Sequence, residues 1–378
     1  MKKKTLLIFV SHASFFISHR LELAIVAKKK GYDVKIVLGE IDSDLKILKE
    51  KEIDCFYLPV YRGGINPFKD IKSLFLIFDL FRKIKPDIVH LVTIKPYLYG
   101  GVIARIAKVP CVVSAVSGLG SLFIGKSLKN KFLRILFYPI YKFAFNHSNQ
   151  FIILQNHQDL KFLQNWGVLN INKVKLLKGS GVNLKEFIPT KETETNMPVV
   201  CFAARLLKDK GIYEFITAAE ILNKLGVRAK FIVAGDLDLK NPTSLNLNEF
   251  NKLKENKNIE IIGYQKNIPK LFNQSNIICL PSYREGFPKT LIEAAAAGRA
   301  VITTDVPGCR EAIIPNKTGL LVQPKNSKKL ADAIQYLIQN PKLRASMGNA
   351  GRELAKKEFK IENIIQGHLD IYNDLLKA

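Results

Sequence analysis

From Ile88 to Gln158 the chain contains no aspartate or glutamate, while eight lysines and arginines fall in the same stretch. Cysteine is scarce too. Cys55, Cys111, Cys201, Cys279 and Cys309 form an odd, scattered set with no C-x-x-C pair and no histidine at metal-ligand spacing. That excludes a disulfide scaffold and a cysteine-based zinc site, and it suits a reducing cytoplasm. No run reaches the ~18 consecutive apolar residues of a membrane span, so any membrane contact is expected to be peripheral. The opening MKKKTLLIFVSHASFF imitates a secretory leader. Its apolar run, Leu6 to Val10, is too short for one and leads into Ser11 and His12 rather than a cleavage site, so it reads as a first buried strand.

What is present is positive charge. There are 58 Lys and Arg against 33 Asp and Glu, a net +25 over 378 residues. Residues 1–190 hold 30 basic and 13 acidic side chains, net +17, against 28 and 20, net +8, for the remainder. Such a balance calls for an acidic partner: nucleic acid, an anionic membrane surface or a phosphorylated substrate. No RNP-type, KH, zinc-finger or helix-turn-helix word occurs, which argues against nucleic acid. Within GKSLKNKFLRILFYPIYKFAF, Lys126, Lys129, Lys131 and Arg134 alternate with aromatic and aliphatic residues, the mixture of a helix lying in a membrane interface. The competing reading packs those aromatics inward and leaves the lysines in water.

Short apolar runs alternate with helical patterns along the whole chain. TLLIFV, DVKIVLG, DIVHLV, PCVVSAV and QFIILQ precede a polar, proline-bounded stretch, IPTKETETNMP, that reads as a linker; VVCFAAR, KFIVAGD, IEIIG, NIICLPS, AVITTD and GLLVQ follow it. Strands apolar on both faces and separated by helices imply parallel sheets covered on both sides, here in an α/β chain of two Rossmann-like domains. In such sheets ligands bind beyond the carboxyl ends of the strands. Arg205 and Lys210 follow one such end, where a guanidinium fork and an ammonium can converge on a diphosphate. Another strand, ending at Pro281, delivers a helix starting at Pro288 whose N-terminus, near Gly286 and Phe287, is suited to an anion. Glu285 and Glu293, eight positions apart, flank that end.

These words, LPSYREGFPKTLIEAAAAGRAVITTDVPGCREAI with ARLLKDKG, GSGVNLKEF and LQNHQD, resemble glycosyltransferase family 4, and within it the capsule- and O-antigen-type transferases. The resemblance covers most of the chain and implies the GT-B fold, two Rossmann-like domains facing across a cleft. It assigns residues 1–190 to an acceptor-binding, membrane-facing domain, 191–360 to a nucleotide-sugar-binding domain, and 361–378 to a helix crossing back to the first. It further implies a retaining transferase moving a hexose or N-acetylhexosamine, with N-acetylgalactosamine the foremost expectation, from a UDP-sugar to a polyprenyl-diphosphate-linked sugar at the inner membrane face. Arg205 and Lys210 would hold the donor phosphates, Thr290 and Leu291 would lie beside them, and Glu285 would face the transferred sugar. Glu293 would accept from the ribose hydroxyls and the backbone near Tyr264 would meet the base.

On the acceptor side the resemblance points to the loop holding Ser14, to Lys95, and to Ser117 and Gly118. Ser11 and Ser14 either approach a ligand or cap the next helix; His12 and His19 read as structural. Lys95 either meets a pyrophosphate or is solvated. Where many relatives carry histidine this chain has Ser117, so either another group takes the acceptor proton or the leaving phosphate does. Asp236 and Asp238 mimic the metal-binding D-x-D of a different glycosyltransferase fold and read as a decoy; no metal and no other cofactor is expected. A UDP-sugar 2-epimerase of the same fold and a non-catalytic, membrane-associated nucleotide-binding protein are the rival readings.

Overall fold

A computed structural model describes residues 3–60, 66–120, 128–192 and 196–377, with only the backbone of Lys129. It divides into two units, Met1–Ser180 with Asn363–Ala378, and Gly181–Glu362. The first holds seven parallel strands: β1 (Thr5–Val10), β2 (Asp33–Leu38), β3 (Asp54–Tyr57), β4 (Ile88–Val92), β5 (Cys111–Val116), β6 (Gln150–Leu154) and β7 (Val174–Leu176), in the order β3-β2-β1-β4-β5-β6-β7. The second holds six: β8 (Val199–Ala203), β9 (Lys230–Ala234), β10 (Glu260–Gly263), β11 (Ile277–Leu280), β12 (Ala300–Thr304) and β13 (Gly319–Val322), in the order β10-β9-β8-β11-β12-β13. Every residue of β4, β5, β11 and β12 is buried, as strands covered on both faces require. Each order reverses direction once, between β1 and β4 and between β8 and β11, which places a switch point at those carboxyl ends.

Helix boundaries follow local chemistry. The Pro67–Ile84 helix starts on Asn66, whose side chain accepts from the Lys69 N–H, with Pro67 in the first turn; it stops at Lys85 in the left-handed region, just before Pro86. The final helix, Ile361–Lys377, turns Ile365, Leu369 and Tyr372 inward, and its Tyr372 hydroxyl shares a 2.5 Å hydrogen bond with His90 Nδ1 on β4.

The boundary between units falls at Ser180–Gly181 rather than at 190. Three arginines account for the difference. Arg352 donates to the Phe187 carbonyl, Arg299 to the Thr190 carbonyl, and Arg344 pairs with Glu192 at 2.8 Å, so these residues are strapped to the second unit before β8 begins. Phe187 is itself part of that unit's core. Among the described residues no helix is long and apolar enough to cross a membrane.

Candidate active site

The second unit's site is built from two loops that share backbone contacts. After β11 the chain runs through Pro281 to Pro288, and the helix occupies Lys289–Ala296 with Pro288 as its N-cap (φ −73°, ψ 122°), one residue later than the sequence implied. After β8 the segment Lys208–Lys210 forms a short turn closed by Gly211 at φ 77°. A Cβ on Gly211 would stand 2.1 Å from the Pro281 carbonyl oxygen, so only glycine lets the turns lie this close. The Tyr283 N–H donates to the Asp209 carbonyl at 2.8 Å, and the Tyr283 hydroxyl to Glu214 Oε1 at 2.6 Å.

That clamp brings Lys210 and Glu285 together. Lys210 Nζ lies 2.5 Å from Glu285 Oε1, which also accepts from Ser282 Oγ at 2.7 Å. Both side chains are largely sheltered, with exposures of 20% and 11%. Cys309 lies beside this pair, and burial followed by the Glu285 charge pushes its thiol up to about 12, so it stays protonated. Gly308, at φ 74°, backs the loop: a Cβ there would lie 2.3 Å from the Gly286 carbonyl oxygen.

Arg205 takes a different carboxylate. Its guanidinium is half exposed and pairs with Asp238 at 2.5 Å, while Asp236 Oδ1 accepts from the Tyr264 N–H at 3.2 Å. Asp236 and Asp238 therefore act as struts, one on the turn after β10 and one on Arg205. Among the described residues no three His, Cys, Asp or Glu side chains gather to form a metal site. Sequence reasoning missed the Asp238 and Ser282 contacts; the D-L-D word was the available signal for the first, and nothing marked the second.

The helix beyond the loop is anchored by Thr290 Oγ1 donating to the Ala203 carbonyl at 2.9 Å and by fully buried Leu291. Leu291 thus serves the core with its side chain and can face a donor only through its backbone. The Phe287 ring packs edge-on against Phe359, and Tyr264 is exposed. Glu293 sits 12% exposed with Lys289 at 3.3 Å; burial raises its pKa, and the Lys289 charge opposes that rise.

In the first unit the loop after β1 leads into the Ala13–His19 helix, whose N-cap is His12 with no side-chain cap. Ser14 instead donates from N and Oγ to Asp42, at 2.7 and 2.6 Å, and Ser11 Oγ bonds His12 Nδ1, so neither serine caps this helix. His19 stacks on Phe15. Lys95 is not a solvated lysine: it is 16% exposed, pairs with Asp70 at 2.7 Å and lies over the Tyr99 ring. Ser117 follows β5, and Gly118 turns there at φ 142°.

The basic segment forms a Leu128–Ala144 helix; Lys126 and the Lys129 side chain lie outside the described residues. Its apolar side chains divide. Tyr141 is buried in the core with Phe137 and Tyr138 against it, whereas Phe132, Ile135 and Leu136 are exposed beside exposed Lys131, with Arg134 half-buried.

Two family models match the chain: glycosyl transferase 4-like over residues 5–156 and glycosyl transferases group 1 over residues 185–354. The chain is 31% identical over 383 residues, covering 98% of each chain, to the N,N'-diacetylbacillosaminyl-diphospho-undecaprenol alpha-1,3-N-acetylgalactosaminyltransferase of Campylobacter jejuni. The chain therefore belongs to the group 1, family 4-like glycosyltransferases, and it is a glycosyltransferase. It is also similar to the UDP-Gal:alpha-D-GlcNAc-diphosphoundecaprenol alpha-1,3-galactosyltransferase of Escherichia coli, 26% identical with 91% of this chain and 90% of that one covered. The fold is GT-B, shared with Anabaena HepE in complex with UDP and glucose (TM-score 0.76, 15% identity, 97% of this chain and 99% of that one covered).

Proposed function

We propose that the protein transfers a hexose or N-acetylhexosamine, N-acetylgalactosamine foremost, from a UDP-sugar to a polyprenyl-diphosphate-linked sugar, with retention of anomeric configuration, in surface-polysaccharide or glycoprotein-glycan assembly. The observation that carries it is the Lys210, Glu285 and Ser282 cluster held against the end of β8, with Arg205 at the same strand end. The relatives' names supply the substrate class: both act on sugars carried by undecaprenyl diphosphate.

The chemistry follows from charge. As the glycosidic C–O bond to the β-phosphate breaks, the leaving UDP gains negative charge, and preorganised cations stabilise it most where water is excluded. Lys210 supplies an ammonium already oriented by Glu285. Arg205 leaves Asp238, or shares with it, to meet the diphosphate. The acceptor hydroxyl attacks the anomeric carbon on the face from which UDP departs, and a phosphate oxygen of UDP takes its proton, a route that needs no base at Ser117. Two cations and a helix N-terminus then do the work that a divalent ion does elsewhere, so transfer is expected without metal. Glu293 accepts from the ribose hydroxyls.

The Leu128–Ala144 helix, through Lys129, Lys131 and Arg134 and together with Lys126 before it in the sequence, holds the enzyme peripherally on the inner, anionic face of the cell membrane, where its acceptor resides. Glutamine at these four positions is expected to weaken vesicle binding and reduce its salt sensitivity while leaving UDP affinity intact; unchanged binding removes this part of the reading. For the catalytic part, Lys210→Met is expected to abolish most transfer while UDP still binds. Full transfer by that variant contradicts the assignment.

A further inference from the structure

A second apolar stripe lies on the first unit, and no motif marked it in the sequence. On the Pro67–Ile84 helix, Phe68, Ile71 and Phe75 are 87%, 52% and 68% exposed. Spacings of three and four put them on one face across two turns, opposite Asp70, Ser73, Ile77 and Phe81, which are buried. A helix of this kind normally turns charge toward water on that face, and clustered exposed aromatics mark an interaction surface. The Leu128–Ala144 helix repeats the arrangement through Phe132, Ile135 and Leu136.

Topology brings both stripes to one side. The crossovers from β3 to β4, β4 to β5 and β5 to β6 step across parallel strands, and right-handed connections place their helices on opposite faces only when the step direction reverses. From β4 onward each step runs one way, and the β3 to β4 step runs that way too. Consistent with this, the Gly101–Ile106 helix packs between the Pro67–Ile84 and Leu128–Ala144 helices, and both outer helices touch the Pro96–Gly100 turn that follows Lys95.

Charge selects the occupant. Lys69, Lys72, Arg82 and Lys83 of the Pro67–Ile84 helix are exposed; of its two acids, Asp70 is buried and bound to Lys95, leaving Asp79. Apolar side chains flanked by lysines on a helix face suit the headgroup boundary of an anionic bilayer. We propose that the Pro67–Ile84 helix is a second membrane-inserting element, its Phe68, Ile71 and Phe75 entering the lipid surface beside the Leu128–Ala144 helix so that the Pro96–Gly100 turn is held at that surface. The inference rests on the peripheral-membrane reading above.

The test is cosedimentation of the full chain with phosphatidylcholine vesicles containing phosphatidylglycerol, comparing wild type, Phe68→Ser with Phe75→Ser, and Lys131→Gln with Arg134→Gln, each checked for an unchanged melting temperature. The phenylalanine variant is expected to bind at least about tenfold more weakly, with its remaining binding still salt-sensitive. Wild-type binding by that variant, alongside weakened binding by the lysine and arginine variant, overturns the role of the second helix and leaves membrane docking standing. No binding by wild type overturns both. A wild-type dimer that the phenylalanine changes convert to a monomer, with vesicle binding unchanged, shows that a second copy covers the stripe and likewise overturns the proposal.

Discussion

At the scale of single residues the site rests on one short ion pair and one buried carboxylate. Lys210 is oriented before any donor arrives, since it pairs with Glu285, which Ser282 holds in turn. Removing the ammonium with Lys210→Met is expected to lower the transfer rate by about 10²–10³-fold, the usual loss for one preorganised group at a developing charge, measured as kcat with donor saturating. Glu293 offers a pH signature. Burial raises its pKa, so its carboxylate takes a proton at a higher pH than an ordinary glutamate; the proton turns one oxygen into a donor and removes the charge that strengthens acceptance from two hydroxyls. Donor affinity is therefore expected to fall as pH drops through that raised pKa, and Glu293→Gln should bind more weakly and remove this dependence; calorimetric titration of UDP across pH reads both. Arg205, Lys210, Glu285 and Glu293 were legible as candidates because each stands in a recognisable word. The partners that orient them were not, because Ser282 and Asp238 reach their targets through loop geometry that no periodicity encodes.

At the scale of elements, two features carry consequences. Gly308 allows the Glu285 loop to sit where it does, and a Cβ at its φ of 74° would collide with the Gly286 carbonyl oxygen. Gly308→Ala is expected to cost about 1–3 kcal/mol in denaturant unfolding and to weaken donor binding with it. The final helix is fastened by a buried basic cluster: Arg20, His90 and His368 are each at most 2% exposed, with Tyr372 bonded to His90. Burial, followed for His90 by the neighbouring His368 and Arg20 charges, lowers the pKa of both histidines well below the ordinary value. The unfolded chain then binds more protons than the folded one below about pH 6.5, so stability falls as pH drops through that range, by up to about 1.4 kcal/mol per pH unit for each histidine. Melting temperatures between neutral and mildly acidic pH should show this slope, and His368→Phe should flatten it. Eleven of the thirteen strands were visible as apolar runs. β3 (DCFY) and β7 (VKL) were not, because edge strands are half solvated and need no such run.

At the scale of the whole molecule, the α/β alternation revealed the two parallel sheets, and the family words gave the GT-B fold. The unit boundary was displaced because the polar text after Phe187 reads as a linker, whereas Arg352 holds Phe187, and Arg299 and Arg344 hold Thr190 and Glu192, to the second unit. The charge asymmetry, net +17 in residues 1–190 against +8 in the rest, was equally plain, but which apolar side chains accompany it was visible only once helix faces were known. The central claim is sugar transfer from a UDP-sugar to a lipid-linked acceptor. Incubating the protein with a panel of UDP-sugars and extracted polyprenyl-diphosphate-linked saccharides, then weighing the lipid products, tests it most directly. The account predicts that one UDP-sugar yields a lipid heavier by a single hexose or N-acetylhexosamine with release of UDP. An unextended lipid beside an isomerised sugar, or no turnover of any donor, would contradict it.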